Sequence, residues 1–327
     1  MPKKLKIAII MAGPSSEYKI SLQSGENIYA LLKNNRKFSL KRVCLPKSQK
    51  ETWRLLKRSV KKLQNFDLIF NALHGEFGED GTIQNFFDNF NIRYTGSGER
   101  ASKIGMDKIL SKKLFQKMGL NVVPAVIFQQ GEKIRMIKMK LPLVVKPGHC
   151  GSSVGVSIVK DKKELVAALK EGFRYDKVLI IEKYIKGREI TCGVVENFQA
   201  KKIYPLMPTE IIPRQDEFFN YRAKYTAGAT LEITPASLTK NLIKLCQKTA
   251  IQTHRAIGCR HYSRTDMILS RERPPLLYVL EINTLPGLTK NSLIPKQTKA
   301  AGLEFDKFLE HIIAISLHSS IGRAVAS

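Results

Sequence analysis

Apolar runs separated by polar loops divide the chain into a regular succession of elements. Leu5 to Met11 is apolar apart from Lys6, the pattern of a buried strand, and it ends at Ala12-Gly13-Pro14-Ser15-Ser16-Glu17. A helix follows, with Ile28, Leu31 and Leu32 at helical spacing. Phe66 to Leu73 repeats the strand pattern and runs into His74-Gly75-Glu76-Phe77-Gly78-Glu79-Asp80-Gly81. A helix near Thr82 to Phe90 and a short strand into Thr95-Gly96 come next. Alternating strand and helix predict a small parallel α/β unit. Its polar loops fall at the C-terminal ends of strands, where open α/β sheets bind ligands.

Further along, the alternation changes. Ala101 to Gly119 reads as one helical stretch, Leu141 to Lys146 and Val154 to Val159 as strands, and Lys163 to Glu171 as a helix. Val178 to Glu182 and Ile190 to Val195 are further strands, so this middle portion predicts an α+β arrangement with an antiparallel hairpin. Gln215 to Thr230 is polar with little regular pattern, and Thr239 to Ile257 is a long helix. Ser263 to Leu269 and Leu276 to Asn283 read as two strands around a turn at Ser270 to Pro275. A helix from Asp306 to Leu317 closes the fold, and Ser319 to Ser327 reads as a loose tail.

Composition narrows the class. The 327 residues are 43% hydrophobic and 25% charged, an ordinary globular balance with room for two or three cores. No apolar run approaches the roughly 20 residues of a membrane span. The basic start lacks the apolar core of a signal peptide. Cys44, Cys150, Cys192, Cys246 and Cys259 are scattered without CxxC spacing, which suggests neither a disulfide framework nor a zinc site. A cytoplasmic protein that does not engage membranes is expected. The net charge of +27 raises nucleic-acid binding as a reading. The lysines are spread along the chain, however, and no nucleic-acid motif accompanies them, so no nucleic-acid partner is expected. Lys47 to Lys62 predicts an amphipathic surface helix, with Trp53, Leu55, Leu56, Val60 and Leu63 among its cations.

The chemistry concentrates in a few segments. Residues at i and i+2 of a strand share a face, so Glu281 and Asn283 point the same way, and Asp266 can meet them from the partner strand with Arg264 beside it. Two carboxylates and an amide make a hard oxygen set that suits Mg²⁺ holding phosphates. The plainer alternative is a solvated strand face with ordinary ion pairs. Lys146-Pro147-Gly148-His149-Cys150-Gly151-Ser152-Ser153-Val154-Gly155-Val156 sets small residues between two strands. Their backbone N–H groups can close over phosphate oxygens. No Gly-Lys-Ser/Thr follows, so this is not a P-loop. Gly96-Ser97-Gly98 resembles a dinucleotide fingerprint only weakly and reads as a tight turn.

Other segments keep two readings open. Glu182-Lys183-Tyr184-Ile185 ends a strand, where an acid and exposed backbone could grip adenine and ribose; a surface charge pair fits equally. Glu17 sits at the mouth of the first strand-to-helix turn, suited either to an amine-bearing ligand or to the helix dipole. His74, Glu79 and Asp80 fit loop and cap roles as well as a site. Phe219 to Gly228 mixes aromatics and cations, as a lid over a phosphorylated ligand would. Thr284-Leu285-Pro286-Gly287-Leu288-Thr289 brings backbone N–H groups beside the Asp266 hairpin, and Ser292 adds a hydroxyl.

In this order the segments resemble the ATP-grasp superfamily and, within it, the D-alanine:D-alanine ligase family, from about Leu5 to Leu317. Matching segments include Ser15-Ser16-Glu17, Ser21 to Gly25, His74-Gly75, Gly78 to Gly81, Tyr94 to Gly98, Met106-Asp107-Lys108 and Gly151 to Gly155. Lys224-Tyr225, Arg264-Thr265-Asp266, Glu281 to Gly287 and Ser292-Leu293 complete the set. The resemblance implies a three-domain ATP-grasp architecture: an N-terminal parallel α/β (preATP-grasp) domain over 1–100, a central subdomain over 101–188, a C-terminal subdomain over 189–318 and a tail over 319–327. It implies ATP-dependent joining of two D-alanine molecules through an acylphosphate, for peptidoglycan precursors, by a homodimer.

Residue roles follow from the same resemblance. Lys108 and Lys146 would contact ATP phosphates, with Ser152, Ser153 and Lys224, while Glu182, Lys183 and Glu189 would meet the adenosine. Asp266, Glu281 and Asn283 would hold two Mg²⁺, for which Mn²⁺ can substitute. Glu17 would receive the first D-alanine's ammonium, with His74 nearby. Arg264 and the Gly287 N–H would form the oxyanion site, and Ser292 and Leu293 the site for the second carboxylate. Ser152 and Tyr225 would lock the lid against Glu17. Ala12 stands where the family usually has a second glycine, Cys150 where a polar or acidic residue is commoner, and Phe219 where a tyrosine is common. D-lactate or D-serine as second substrate stays open, although the Lys224-Tyr225 lid favours the dipeptide, because the family's lactate-forming members usually alter it. A basic nucleic-acid-binding protein that keeps the fold without activity is the reading from a different class.

Overall fold

The computed structural model describes residues 3–151, 154–214 and 230–319. The first sheet is parallel, in the order β2-β1-β3, with β1 at Leu5–Ala12, β2 at Phe38–Leu45 and β3 at Leu68–Asn71. β1 is central, pairing Leu5 with Phe38 and Ile7 with Leu68. It is covered on both faces, which is why its sequence is apolar without alternation. Ile7, Ile9 and Met11 face one core, with Ile28 of α1 (Tyr18–Leu32), while Ala8 and Ile10 face another, with Leu56 of α2 (Gln49–Gln64) and Phe86 of α3 (Thr82–Asn89).

β2 was not expected from the sequence. It is an edge strand, so Lys41 and Arg42 stay in solvent and interrupt the apolar pattern that marks its neighbours. α2 matches the amphipathic reading: Trp53 packs edge-on to Phe77, Leu56 and Leu63 are buried, and Lys50, Arg54, Lys57, Arg58, Lys61 and Lys62 are exposed.

The stretch expected as one helix over Ala101 to Gly119 is two: α4 (Glu99–Met106) and α5 (Lys108–Lys117). Asp107 breaks it at ψ 99°, and its Oδ1 accepts the N–H groups of Ile109 and Leu110. An aspartate that satisfies orphan donors in this way starts a helix rather than continuing one. A second sheet follows, antiparallel in the order β4-β7-β5-β6: Ala125–Gln129, Val178–Lys183, Leu143–Pro147 and Ser157–Val159. α6 (Lys162–Gly172) covers one face through Leu165, Ala168 and Leu169.

The third sheet runs β11-β10-β8-β12-β13, with β9 also on β8. Its strands are β8 (Gly187–Phe198), β9 (Lys201–Pro205), β10 (Thr209–Pro213), β11 (Thr230–Ile233), β12 (Tyr262–Ser270) and β13 (Leu277–Asn283). α7 (Lys240–Ile257) packs on it and is capped by the Thr239 side chain, which accepts the Leu242 N–H. α8 (Leu293–Ala300) and α9 (Phe305–His318) end the described chain. One apolar core joins the first and third sheets: Ile7, Ile9 and Phe70 pack with Tyr262, Leu285, Ile294, Phe308 and Ile312. At about 1.5–3 kcal/mol for each fully buried large side chain, this core is what holds the strand ends of the two sheets around a common cleft. No helix among the described residues is long and apolar enough to cross a membrane.

Candidate active site

The cleft holds two adjoining cavities, of about 190 and about 160 Å³. Lys108 and Glu281 line both, and their side chains meet at the junction, Nζ to Oε2 3.5 Å. The first cavity gathers the loops after β1, β3 and β13. The second lies between the second and third sheets.

The hairpin has the register its sequence suggests. Asp266 sits opposite Glu281 and Arg264 opposite Asn283, so all four share one sheet face. The pairing then slips: Met267 faces Val279, leaving Leu280 as an extra residue. Such a bulge reverses the phase of one strand. Val279 and Ile282 both point into the core, while Leu280 and Glu281 both line the second cavity. Asp266 is tightly held. Arg264 donates Nε to Oδ1 and Nη2 to Oδ2, each at 2.8 Å, and Thr191 Oγ1 donates to Oδ1 at 2.6 Å.

The donor set fits a hard divalent cation bound with phosphate. Among the described residues no three His, Cys, Asp or Glu side chains converge on one point. Mg²⁺ characteristically takes one or two carboxylates and completes its shell from phosphates and water. Asp266 and Glu281 would supply the carboxylates and Asn283 an amide oxygen.

In the second cavity Lys146 and Glu182, a strand apart, are both buried. Lys146 Nζ lies 3.0 Å from Glu182 Oε1, and Lys112 Nζ lies 2.7 Å from the same oxygen. Burial pushes the Glu182 carboxyl up, but the two lysines outweigh it and hold it below the usual carboxylate range. An exposed surface pair is thereby ruled out. Lys183, Glu189, Cys150 and Val154 line the same cavity together with Lys108, Asp266 and Glu281, and Val144, Ile158, Met267 and Leu280 give it an apolar wall. A polyphosphate end and an apolar slot are what a purine nucleotide needs. Lys108 Nζ donates to the Cys150 carbonyl, so the backbone after β5 is tied to α5.

In the first cavity Glu17 is 5% exposed, and its side chain makes no capping bond to α1. Gly75, at φ +70°, leaves it room: a Cβ there would stand 3.2 Å from Glu17 Oε1 and 2.9 Å from Ser15 Oγ. Beside it runs a buried chain. Glu79 Oε1 lies 3.3 Å from His74 Nδ1, and His74 Nε2 lies 2.9 Å from Ser24 Oγ, which accepts the Leu288 N–H. Burial raises the Glu79 carboxyl above its usual range; the His74 bond opposes this and the Glu17 charge adds to it. At the far side Gly287, Ser292 and Leu293 line the wall. Ser292 Oγ accepts the Thr289 N–H at 3.0 Å and stands at the N-terminus of α8.

Fourteen of the site residues proposed from sequence thus surround one cleft: Glu17, His74, Lys108, Lys146, Glu182, Lys183, Glu189, Arg264, Asp266, Glu281, Asn283, Gly287, Ser292 and Leu293. Ser152, Ser153, Phe219, Lys224 and Tyr225 lie outside the described residues. Gly96 is a turn, as expected, its N–H donating to His261 Nδ1. Sequence reasoning missed Lys112, Thr191 and Glu232, the last a lining residue of the first cavity, and gave Ser24 no role of its own. Lys112 carried a signal, because it falls on the helical phase that should be apolar.

A cavity between two antiparallel sheets, opening beside an oxygen-rich hairpin, is the arrangement of an enzyme of the ATP-grasp fold. Family models described as D-ala D-ala ligase N-terminus and D-ala D-ala ligase C-terminus match residues 37–97 and 114–314. A D-alanine–D-alanine ligase of Clostridium beijerinckii is 40% identical over 319 residues, 97% of this chain and 100% of its own. The ATP complex of the Bacillus anthracis D-alanine–D-alanine ligase is similar at TM-score 0.80 and 34% identity, covering 97% of this chain and 98% of that one. The VanG D-Ala:D-Ser ligase of Enterococcus faecalis is similar at TM-score 0.82 and 30% identity, covering 96% and 100%. The chain belongs to the D-alanine–D-alanine ligase family.

Proposed function

We propose that the chain joins two D-alanine molecules at the expense of ATP, forming D-alanyl-D-alanine, ADP and phosphate for cell-wall precursors. The observation that carries this reading is the junction of the two cavities at Lys108 and Glu281. A nucleotide in the apolar slot points its phosphates at that junction, where an amino-acid carboxylate in the first cavity can meet them.

The first D-alanine binds with its ammonium at Glu17. Its carboxylate oxygen attacks the γ-phosphorus, the bond to the β-phosphate oxygen breaks, and ADP is released from the reacting centre. Lys108 and Lys146 neutralise the charge that spreads over the phosphates. Asp266, Glu281 and Asn283 hold Mg²⁺, which supplies charge neutralisation and orientation of the phosphate oxygens; two ions, with Mn²⁺ as substitute, belong to the same reading. The second D-alanine lies with its carboxylate at Ser292, Leu293 and the N-terminus of α8. Its neutral amine attacks the acylphosphate carbonyl carbon. Arg264 and the Gly287 N–H stabilise the oxyanion, phosphate leaves, and the nitrogen loses a proton. The roles in ATP binding and lid locking given to Ser152, Ser153, Lys224 and Tyr225 rest on the family resemblance alone.

The units at 1–100, 101–188 and 189–318, a homodimer and a cytoplasmic location are parts of this proposal. Phosphate release from ATP and Mg²⁺ with D-alanine, L-alanine, or D-alanine plus D-lactate or D-serine, with products weighed by mass spectrometry, tests it. Release with D-alanine alone, yielding the dipeptide, is the expected result. Release only with D-lactate or D-serine added moves the second substrate, and no release with any of them removes the reading.

A further inference from the structure

α5 turns an unusual set of side chains inward. Its buried positions are Lys108, Ser111, Lys112 and Phe115, the i, i+3, i+4, i+7 stripe that helices ordinarily fill with apolar groups. Leu110, on the other face, is 42% exposed. Burying an ammonium is costly unless it is well paired, so a helix that exposes leucine and buries two lysines has given up stability for something else. Lys108 has an evident use, since it lines both cavities. Lys112 lines neither. Its ammonium lies behind Glu182, 2.7 Å from Oε1 and 3.4 Å from the Val123 carbonyl. Lys146 approaches that same Oε1 at 3.0 Å from the cavity side.

We infer that Lys112 is a positioning residue for the nucleotide phosphates, acting through Glu182 on Lys146. Two ammonium groups share one carboxylate, so the buried trio keeps one net positive charge. Without Lys112, Lys146 and Glu182 would form a closed neutral pair. The strongest partner of Lys146 would then be the carboxylate behind it rather than the phosphate in front. With Lys112 occupying Glu182, Lys146 is anchored in place but its charge is left over for the nucleotide. Low local dielectric makes each charge in the trio count for more than it would at the surface. Val123, where Lys112 also donates, lies in the segment between α5 and β4, so the same lysine ties the helix to the wall of the slot.

This inference rests on the reading of the second cavity as the nucleotide site, and the test separates the two. ATP, ADP and adenosine are titrated calorimetrically onto the full chain with MgCl₂ and no D-alanine. In Lys112→Met the Kd for ATP should rise about tenfold, the scale of losing one charge-assisted partner, while the Kd for adenosine should stay within about twofold. Lys112→Arg should restore most of the ATP affinity, and KM for ATP should rise in Lys112→Met with kcat little changed. An unchanged ATP Kd, or equal losses for ATP and adenosine, would overturn the positioning role. A double-mutant cycle guards against a variant that does not fold: in a Glu182→Gln background, Lys112→Met should change ATP affinity by less than about twofold. A full-size effect there means Lys112 does not act through Glu182. Wild-type protein that binds no ATP refutes the nucleotide site itself.

Discussion

Arg264 grips Asp266 at two points, Nε to Oδ1 and Nη2 to Oδ2, from two positions away on the same strand face. The proposed oxyanion cation and the proposed metal carboxylate therefore form one unit. Replacing either one changes the charge felt by the other. Asp266→Asn keeps the shape, including an oxygen for Thr191, but halves the carboxylate charge of the hairpin. It should raise the Mg²⁺ concentration needed for half-maximal phosphate release by at least about tenfold, the scale seen when metal-site partners are removed. An unchanged Mg²⁺ dependence would place the metal elsewhere.

Glu17 is buried in the first cavity, with Glu79 close enough to feel its charge. As the proposed partner of the first D-alanine's ammonium, it contributes a charge-assisted bond of about 1.5–3 kcal/mol. Glu17→Gln should raise KM for the first D-alanine roughly 10- to 100-fold. ATP affinity, measured calorimetrically without D-alanine, should be unaltered. A parallel loss of ATP affinity would show that Glu17 supports the cleft rather than the substrate.

Much of this site was legible because its residues sit at strand ends and one hairpin, where a period of two fixes which side chains meet. The Asp266, Glu281 and Asn283 set needed only that rule. The bulge at Leu280 was invisible, since an extra residue in one strand looks like any other until the partner's register is known. β2 was missed because an exposed edge strand does not need the apolar run that marks β1. The break at Asp107 was missed because residues on both sides have helical composition, and one capping side chain decides it. Lys112 and Glu182 were harder still: their contact joins residues 70 positions apart, and burial of the pair comes only from how α5 lies on the second sheet.

The Ala12 departure lends itself to a comparison of two small substitutions. Ala12 ends β1 at φ +70°, where a Cβ costs roughly 1–2 kcal/mol. Glycine there would relieve this but lose a buried methyl, about 0.8 kcal/mol, and add chain entropy to the unfolded state of roughly 0.5–1 kcal/mol. The effects nearly cancel, so Ala12→Gly should be close to neutral. Ala8, equally buried in the same strand but not in the left-handed region, has only the losses. Urea denaturation should find Ala8→Gly at least about 1 kcal/mol more destabilising than Ala12→Gly. Equal costs would mean that the turn at Ala12 is not strained.

His261 joins the first sheet's turn to the third sheet and α9. Its Nδ1 accepts the Gly96 N–H at 2.9 Å, so the neutral ring carries its proton on Nε2, which faces Ser319 Oγ at 2.7 Å. Burial, then the Arg260 charge, push its pKa down to about 3, with Glu196 opposing and His254 and His311 adding to the effect. The unfolded chain protonates this histidine near pH 6.5. Between those values the unfolded state binds more protons than the native one, so stability rises with pH. The contribution is complete above about pH 6.5 and is lost as pH falls toward 3, at up to about 1.4 kcal/mol per pH unit. His261→Gln keeps an acceptor but cannot be charged. Its urea midpoint should therefore fall less steeply than that of the wild type between pH 6.5 and 4.5. Identical slopes would show that acid sensitivity in this window arises from other groups, and that protonating His261 does not oppose the Gly96 contact.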